Sequence, residues 1–303
     1  MPNFFERLFG KKEKKDQARA LDPDATVPLP QLPTTPPPDA QATVELPKRL
    51  TLGVAQDVGR VREHNEDVLL VFTGELAGLE AMPSLGLFVV ADGMGGHSLG
   101  ERASGIAARS VARAVLEQIL PSLLADPQAD TERPLLKDVM ESAMTTANAA
   151  VVNNVPEGGT TLTCALVLGE QVILSHVGDS RAYIITSETF EQVTRDHSLV
   201  QRLKELGQIT SDEAAVHPQR SVLYRAVGQG EGLEVDVISR RLAPGASLLL
   251  CSDGLWGPVP DHKILEVVRH AASPQAACEE LIAAANAAGG PDNITAIMVQ
   301  LPG

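Results

Sequence analysis

Residues 87–97 read Leu87-Phe88-Val89-Val90-Ala91-Asp92-Gly93-Met94-Gly95-Gly96-His97, an apolar run that ends abruptly in an acidic, glycine-rich turn. A short run of this kind, bounded by turn residues, is the pattern of a buried strand. The pattern recurs at Ser247-Leu248-Leu249-Leu250-Cys251, which is closed by Ser252-Asp253-Gly254. In both places an aspartate stands at the end of a strand that the core must hold. The following glycine lets a backbone carbonyl approach a ligand with no side chain in the way.

Outward from these two strands, the pattern predicts others over 50–58, 67–73, 85–91, 160–168, 171–178, 181–186, 233–242, 247–251 and 293–301. Helical periodicity covers 99–121, 133–153, 261–271 and 274–288. The polar 196–227 segment has a helical portion at 198–207. Runs of strands interrupted by paired helices predict an α+β arrangement of sheets and helical layers.

The first 48 residues differ in character. Residues 22–47 hold eight prolines and lack periodicity, which predicts an extended, disordered linker. Before it, Phe4, Phe5, Leu8 and Phe9 share one helical face and precede Lys11, Lys12, Lys14 and Lys15. Residues 3–15 therefore read either as a short helix for a membrane surface or partner, or as an inert frayed terminus. Thr34 and Thr35 lie in this proline-rich stretch, within reach of a kinase. The domain organisation expected is a tail over 1–48 and one folded domain over 49–303.

The chain has 303 residues, 44% of them hydrophobic but 3% aromatic, so the core must rest on Val, Leu, Ile and Ala. No apolar run approaches the roughly 20 residues that span a bilayer, and the start shows no secretory signal. Cys164, Cys251 and Cys278 are far apart and read as buried thiols of a reducing compartment, which points to the cytoplasm, with peripheral membrane attachment if residues 3–15 dock there. The net charge is −14, and residues 1–48 contribute seven basic and seven acidic groups, so the whole excess lies in the domain. Such a domain is a poor binder of nucleic acid or anionic membrane. It would also repel a phosphorylated substrate unless its site held something positive.

Further acidic turns are Arg62-Glu63-His64-Asn65-Glu66-Asp67, Gly178-Asp179-Ser180-Arg181 and Gly290-Pro291-Asp292-Asn293. Any one of them is an ordinary turn, because Asp, Asn and Gly tolerate such conformations. Together they would bring several carboxylates to strand ends, where ionised groups need cations. Oxygen donors without Cys or paired His favour Mg²⁺ or Mn²⁺ over Zn²⁺. The chemistry suited to such a site is phosphate ester hydrolysis, in which two cations lower the pKa of a water and clamp the phosphoryl oxygens. Arg62 would add a bidentate fork for those oxygens.

In this order and spacing the motifs RxxNED, DGMGGH, GDSR, SDG and GPDN resemble the metal-dependent protein phosphatases of type 2C, in a form typical of bacteria. The resemblance runs from about residue 50 to 301. It implies a four-layer αββα sandwich, two stacked antiparallel sheets flanked by helix pairs. It implies hydrolysis of phosphoserine and phosphothreonine in proteins at a binuclear Mn²⁺ or Mg²⁺ site, in opposition to a serine/threonine kinase. By the same resemblance Asp92 bridges both metals, the Gly93 carbonyl binds the second, and Asp253 and Asp292 bind the first. Asp67 and Glu66 match the acidic pair near the second metal, Asn293 supports the site, Arg62 matches the phosphate-binding arginine, and Asp179 matches the holder of a weaker third metal. Segment 196–227 corresponds to a flap beside the site.

Two positions depart from the pattern. Met94 stands where animal members carry a histidine that is a candidate general acid. His97 is the first alternative donor, with His64, His197 or a metal-bound water behind it. Gly257 stands where many members carry an acid that helps the third metal, so that site is expected to be weak. Trp256 reads as a packing residue and Arg181 as a support for the Asp179 strand. The competing function is a non-catalytic scaffold of the same fold that binds phosphoproteins; such relatives usually lose a core aspartate, and Asp67, Asp92, Asp253 and Asp292 are all present.

Overall fold

The computed structural model describes residues 49–75, 83–95, 98–125 and 134–302. The expected linker, the amphipathic segment at 3–15 and His97 lie outside the described residues.

Strand β1 (Thr51–Asp57) is followed by β2 (Asp67–Gly74) and β3 (Leu85–Met94), then helices α1 (Ser98–Leu123) and α2 (Leu136–Asn154). Next come β4 (Gly159–Thr160), β5 (Leu162–Leu168), β6 (Gln171–Val177), β7 (Arg181–Ile185) and β8 (Phe190–Gln192). The flap holds α3 (Leu199–Glu205) and α4 (Ser211–Ala215). The chain closes with β9 (Asp236–Arg241), β10 (Ser247–Cys251), the single turn α5 (Asp253–Trp256), α6 (Asp261–His270), α7 (Pro274–Ala287) and β11 (Ile294–Gln300).

Two antiparallel sheets result. One runs β1-β11-β10-β7-β8 and the other β2-β3-β5-β6-β9, with β4 paired to β3. Period-two alternation explains the layers. On β3, Leu87, Val89 and Ala91 pack against α1 and α2, while Phe88 and Val90 point between the sheets. On β10, Leu248 and Leu250 meet them there, while Leu249 and Cys251 face α6 and α7. Both central strands are thus buried on two faces, which is why their sequences are unbroken apolar runs. The helices of the first layer present Ala103, Ala107, Val111 and Val115, four residues apart, so small side chains let α1 lie close on the sheet. This is the expected αββα sandwich.

The boundaries differ in instructive places. The strand expected over 160–168 is two, β4 and β5, because the Thr161 amide turns aside to donate to the Asp92 carbonyl at 2.8 Å. The strand expected from 233 starts at Asp236, after Glu234 has paired with Arg225. The helix expected from 133 starts at Leu136, following an extended Leu135. Pro121 does not end α1, which runs to Leu123. The single turn α5 was not expected, nor were β8 and α4.

Candidate active site

Strand pairing sets the first acidic pair. Asp67 on β2 is the register partner of Asp92 on β3. The Asp67 carboxylate is buried at 5% exposure. Its Oδ2 accepts from Ser252 Oγ, just past β10, at 2.8 Å and from Thr295 Oγ1, on β11, at 2.6 Å. Its Oδ1 is buried with no protein partner.

Asp92 is held by its backbone. Its amide donates to Thr161 Oγ1 at 2.9 Å, and its carbonyl accepts from Thr160 Oγ1 at 2.8 Å. A Cβ on Gly93 would fall 2.3 Å from the Gly100 carbonyl oxygen and 2.7 Å from that of Glu66, so only glycine fits there. The turn of Glu66 is packed into this corner too, since Ser104 Oγ donates to its carbonyl at 2.6 Å.

The loop before β2 hangs on Asn293. The Asn293 amide group donates to the carbonyls of Val58 and His64, each at 2.9 Å, and its Oδ1 accepts from the Glu66 amide at 2.8 Å. This fixes the loop that carries Arg62, whose Nη2 donates to Asp292 Oδ2 at 2.6 Å. That bond is the main reason the Arg62 guanidinium holds its proton above the ordinary range.

Asp179 follows Gly178, is 5% exposed, and its carbonyl accepts from Trp256 Nε1 at 3.0 Å. The Arg181 guanidinium lies 3.5 Å above the Trp256 ring and makes a bidentate pair with Asp196, with Nη2 to Oδ2 at 2.7 Å. Trp256 and Arg181 therefore pack and support, as expected.

The carboxylates feel one another. Burial, then Asp67, Asp253, Asp179 and Asp292, push Asp92 well above the carboxylate range. Burial, then Asp253, do the same to Asp179. Burial raises Asp67 to about 7 against the lowering effect of Thr295 and Ser252. Burial and Asp292 raise Asp253 to about 6, against the lowering effect of Asp92 and Arg62. Among the described residues, no three acidic, His or Cys side chains meet as a finished metal shell. What the fold gathers is a set of carboxyl groups, Asp67, Asp92, Asp179 and Asp253, whose burial and mutual repulsion oppose ionisation, and Asp67 Oδ1 is left without a protein partner. That donor set fits divalent, oxygen-preferring cations, which would relieve the repulsion.

The histidines separate. His97 is outside the described residues. His64 is exposed on the Arg62 loop. His197 is buried; its Nδ1 accepts from the Gly178 amide at 3.1 Å, and its Nε2 lies 3.3 Å from Asp236 Oδ2. Both nitrogens are committed to protein groups, so His197 is withdrawn as a proton donor to a leaving group. Met94 Sδ lies 4.0 Å from Gln229 Nε2. Gly257 is exposed after α5 and donates its amide to the Asp253 carbonyl at 2.8 Å.

Sequence reading had missed the hydroxyls. Ser252 and Thr295 hold Asp67, and Thr160 and Thr161 hold Asp92. Ser252 adjoins Asp253 and Thr295 follows Asn293 by two, so the acidic motifs were the signal available.

Residues 53–294 match the family model for protein phosphatase 2C. The chain is 35% identical over 244 residues to the serine/threonine phosphatase stp of Listeria innocua, covering 80% of this chain and 93% of that protein. It is 35% identical over 258 residues to the serine/threonine protein phosphatase PstP of Mycobacterium tuberculosis, covering 83% of this chain and 45% of that protein. The crystal structure of the PstP catalytic domain in complex with two manganese ions aligns at a TM-score of 0.68 and 31% identity, over 84% of this chain and 99% of that one. The chain belongs to the protein phosphatase 2C family of enzymes.

Proposed function

We propose that this phosphatase hydrolyses phosphoserine and phosphothreonine in proteins, reversing the work of a serine/threonine kinase. The observation that carries the reading is that Asp67, Asp253, Asp179 and Asp292 all act on the Asp92 carboxyl, while Asp67 keeps a buried Oδ1 with no protein partner. The two manganese ions of the PstP structure support a binuclear Mn²⁺ or Mg²⁺ site here. Asp92 would serve both ions and the Gly93 carbonyl the second, with Asp253 and Asp292 on the first and Asp67 and Glu66 on the side of the second. Asp179 would hold a weaker third. When bound, such ions activate water and offset phosphate charge.

The chain's own groups do the rest. Arg62, on a loop anchored by Asn293, takes a phosphoryl oxygen pair; its bond to Asp292 keeps it beside the carboxylates until substrate arrives. A serine or threonine oxygen leaves poorly unless protonated. With His197 committed elsewhere, His97 is the donor proposed and His64 the alternative. All three cysteines are free and buried, which supports a cytoplasmic setting. Residues 3–15 are proposed as the segment that docks the enzyme to a partner or membrane surface.

The test is turnover of a phosphothreonine peptide with Mn²⁺, abolished by chelator. Folded, metal-loaded protein that binds the peptide without turnover would establish the scaffold reading instead.

A further inference from the structure

The flap is tied to the site at both ends. At its exit, Val227 and Thr160 exchange backbone hydrogen bonds of 3.0 and 2.9 Å, and Thr160 in turn binds the Asp92 carbonyl. At its entrance, His197 grips Gly178 twice. Its backbone amide donates to the Gly178 carbonyl at 2.7 Å, and its Nδ1 accepts from the Gly178 amide at 3.1 Å. The two ends are zipped to each other, since the Tyr224 amide donates to the His197 carbonyl at 3.0 Å and the Leu199 amide to that of Val222 at 2.8 Å.

The tautomer follows from donor arithmetic. A backbone N–H can only donate, so Nδ1 carries no proton. The neutral ring then bears its proton on Nε2, directed at Asp236 Oδ2. Arg225 Nη1, which can also only donate, lies 3.1 Å from Nε2; the Asp236 carboxylate at 3.3 Å offers an Nε2 proton its acceptor, and the guanidinium donates to Asp236 Oδ1 at 3.0 Å. Gly178 has φ +114°, and a Cβ there would lie 2.5 Å from Thr161 Cβ. Only glycine fits this backbone state, and it directly precedes Asp179.

We propose that His197 is a positioning residue for Asp179: its Nε2–H tautomer locks Gly178 and links that turn to Arg225 and Asp236, so that the seating of the flap sets how firmly Asp179 is held. The role for Asp179 rests on the ligand assignment above, whereas the clamp on Gly178 does not.

The experiment uses the full chain. His197→Gln keeps reach toward Asp236 but removes the acceptor at Nδ1, whereas His197→Asn places an oxygen near it. Amide exchange at Gly178 should rise roughly five- to tenfold in His197→Gln, the size expected for one lost hydrogen bond, and largely recover in His197→Asn. On a phosphothreonine peptide with Mn²⁺, His197→Gln should lower kcat, and adding it to Asp179→Asn should cost nothing further. Unchanged exchange at Gly178, or losses that multiply in the double variant, would overturn the proposal. If Asp179→Asn alone turns over normally, the ligand assignment fails while exchange at Gly178 still decides the clamp. Should His197→Gln not fold, ¹⁵N NMR of the wild-type imidazole reads the tautomer directly, and a proton on Nδ1 refutes the clamp.

Discussion

Asp67, the first residue of β2, and Asp92, two residues before the end of β3, are direct cross-strand partners, so two carboxylates meet where a sheet would ordinarily place a compatible pair. Like charges opposite one another destabilise a sheet. Ser252, just past β10, and Thr295, on β11, both donate to Asp67 and hold that carboxyl in place.

Asp92→Asn should therefore separate activity from stability. Turnover of a phosphothreonine peptide should fall at least about 100-fold, as for loss of a principal electrostatic group. In chelator, the variant should melt no lower than the parent, because an amide never has to ionise among the neighbouring carboxylates. Thermal denaturation beside the activity assay checks both.

Folded-state pKa values of about 7 for Asp67 and about 6 for Asp253 lie above the ordinary carboxylate value. The folded metal-free protein thus binds more protons than the unfolded chain over roughly pH 4–7, and it loses stability as pH rises through that window. Metal-free protein should melt lower at pH 8 than at pH 5.5. Mn²⁺ should raise the melting temperature more at pH 8, since protons no longer compete. A melting temperature independent of pH in chelator would contradict the raised values.

Thr295→Val removes one of the two hydroxyls on Asp67 Oδ2. Groups that orient metal ligands typically contribute 10- to 100-fold in metal affinity, so the Mn²⁺ requirement should rise by about that factor. At saturating Mn²⁺ most of kcat should return. Titration calorimetry with Mn²⁺ gives the affinity without relying on turnover.

Arg62→Lys keeps the charge and loses the planar fork. KM for a phosphorylated peptide should rise roughly tenfold, in line with losing one charge-assisted hydrogen bond. Thermal stability should be unchanged, because Arg62 is half exposed.

Phe88 is fully buried between the two sheets. Phe88→Ala should cost about 3–5 kcal/mol of stability, measured by denaturant unfolding in chelator. A much smaller loss would mean that the sheets collapse around the gap.

Much of the architecture was legible because the two central strands are buried on both faces. An apolar run closed by an acidic turn reads as a buried strand, and β3 and β10 are such strands, with Asp92 near the end of one and Asp253 just beyond the other. Local chemistry also placed Arg62, Asp67, Asp179, Asp292 and Asn293 in turns. What sequence could not rank was the histidines. His64, His97 and His197 read alike as candidate donors, and only packing removed His197, by committing Nδ1 to Gly178 and Nε2 to Asp236. The hydroxyl shell was equally hidden, since Ser252 and Thr295 lie 185 and 228 residues from Asp67. Periodicity and turn chemistry act over a few residues, so the sequence by itself determined the strands, the layers and the acidic ends. Which carboxylate faces which, what holds each one, and how the flap is fastened depend on contacts across two sheets, and these the tertiary structure alone decided.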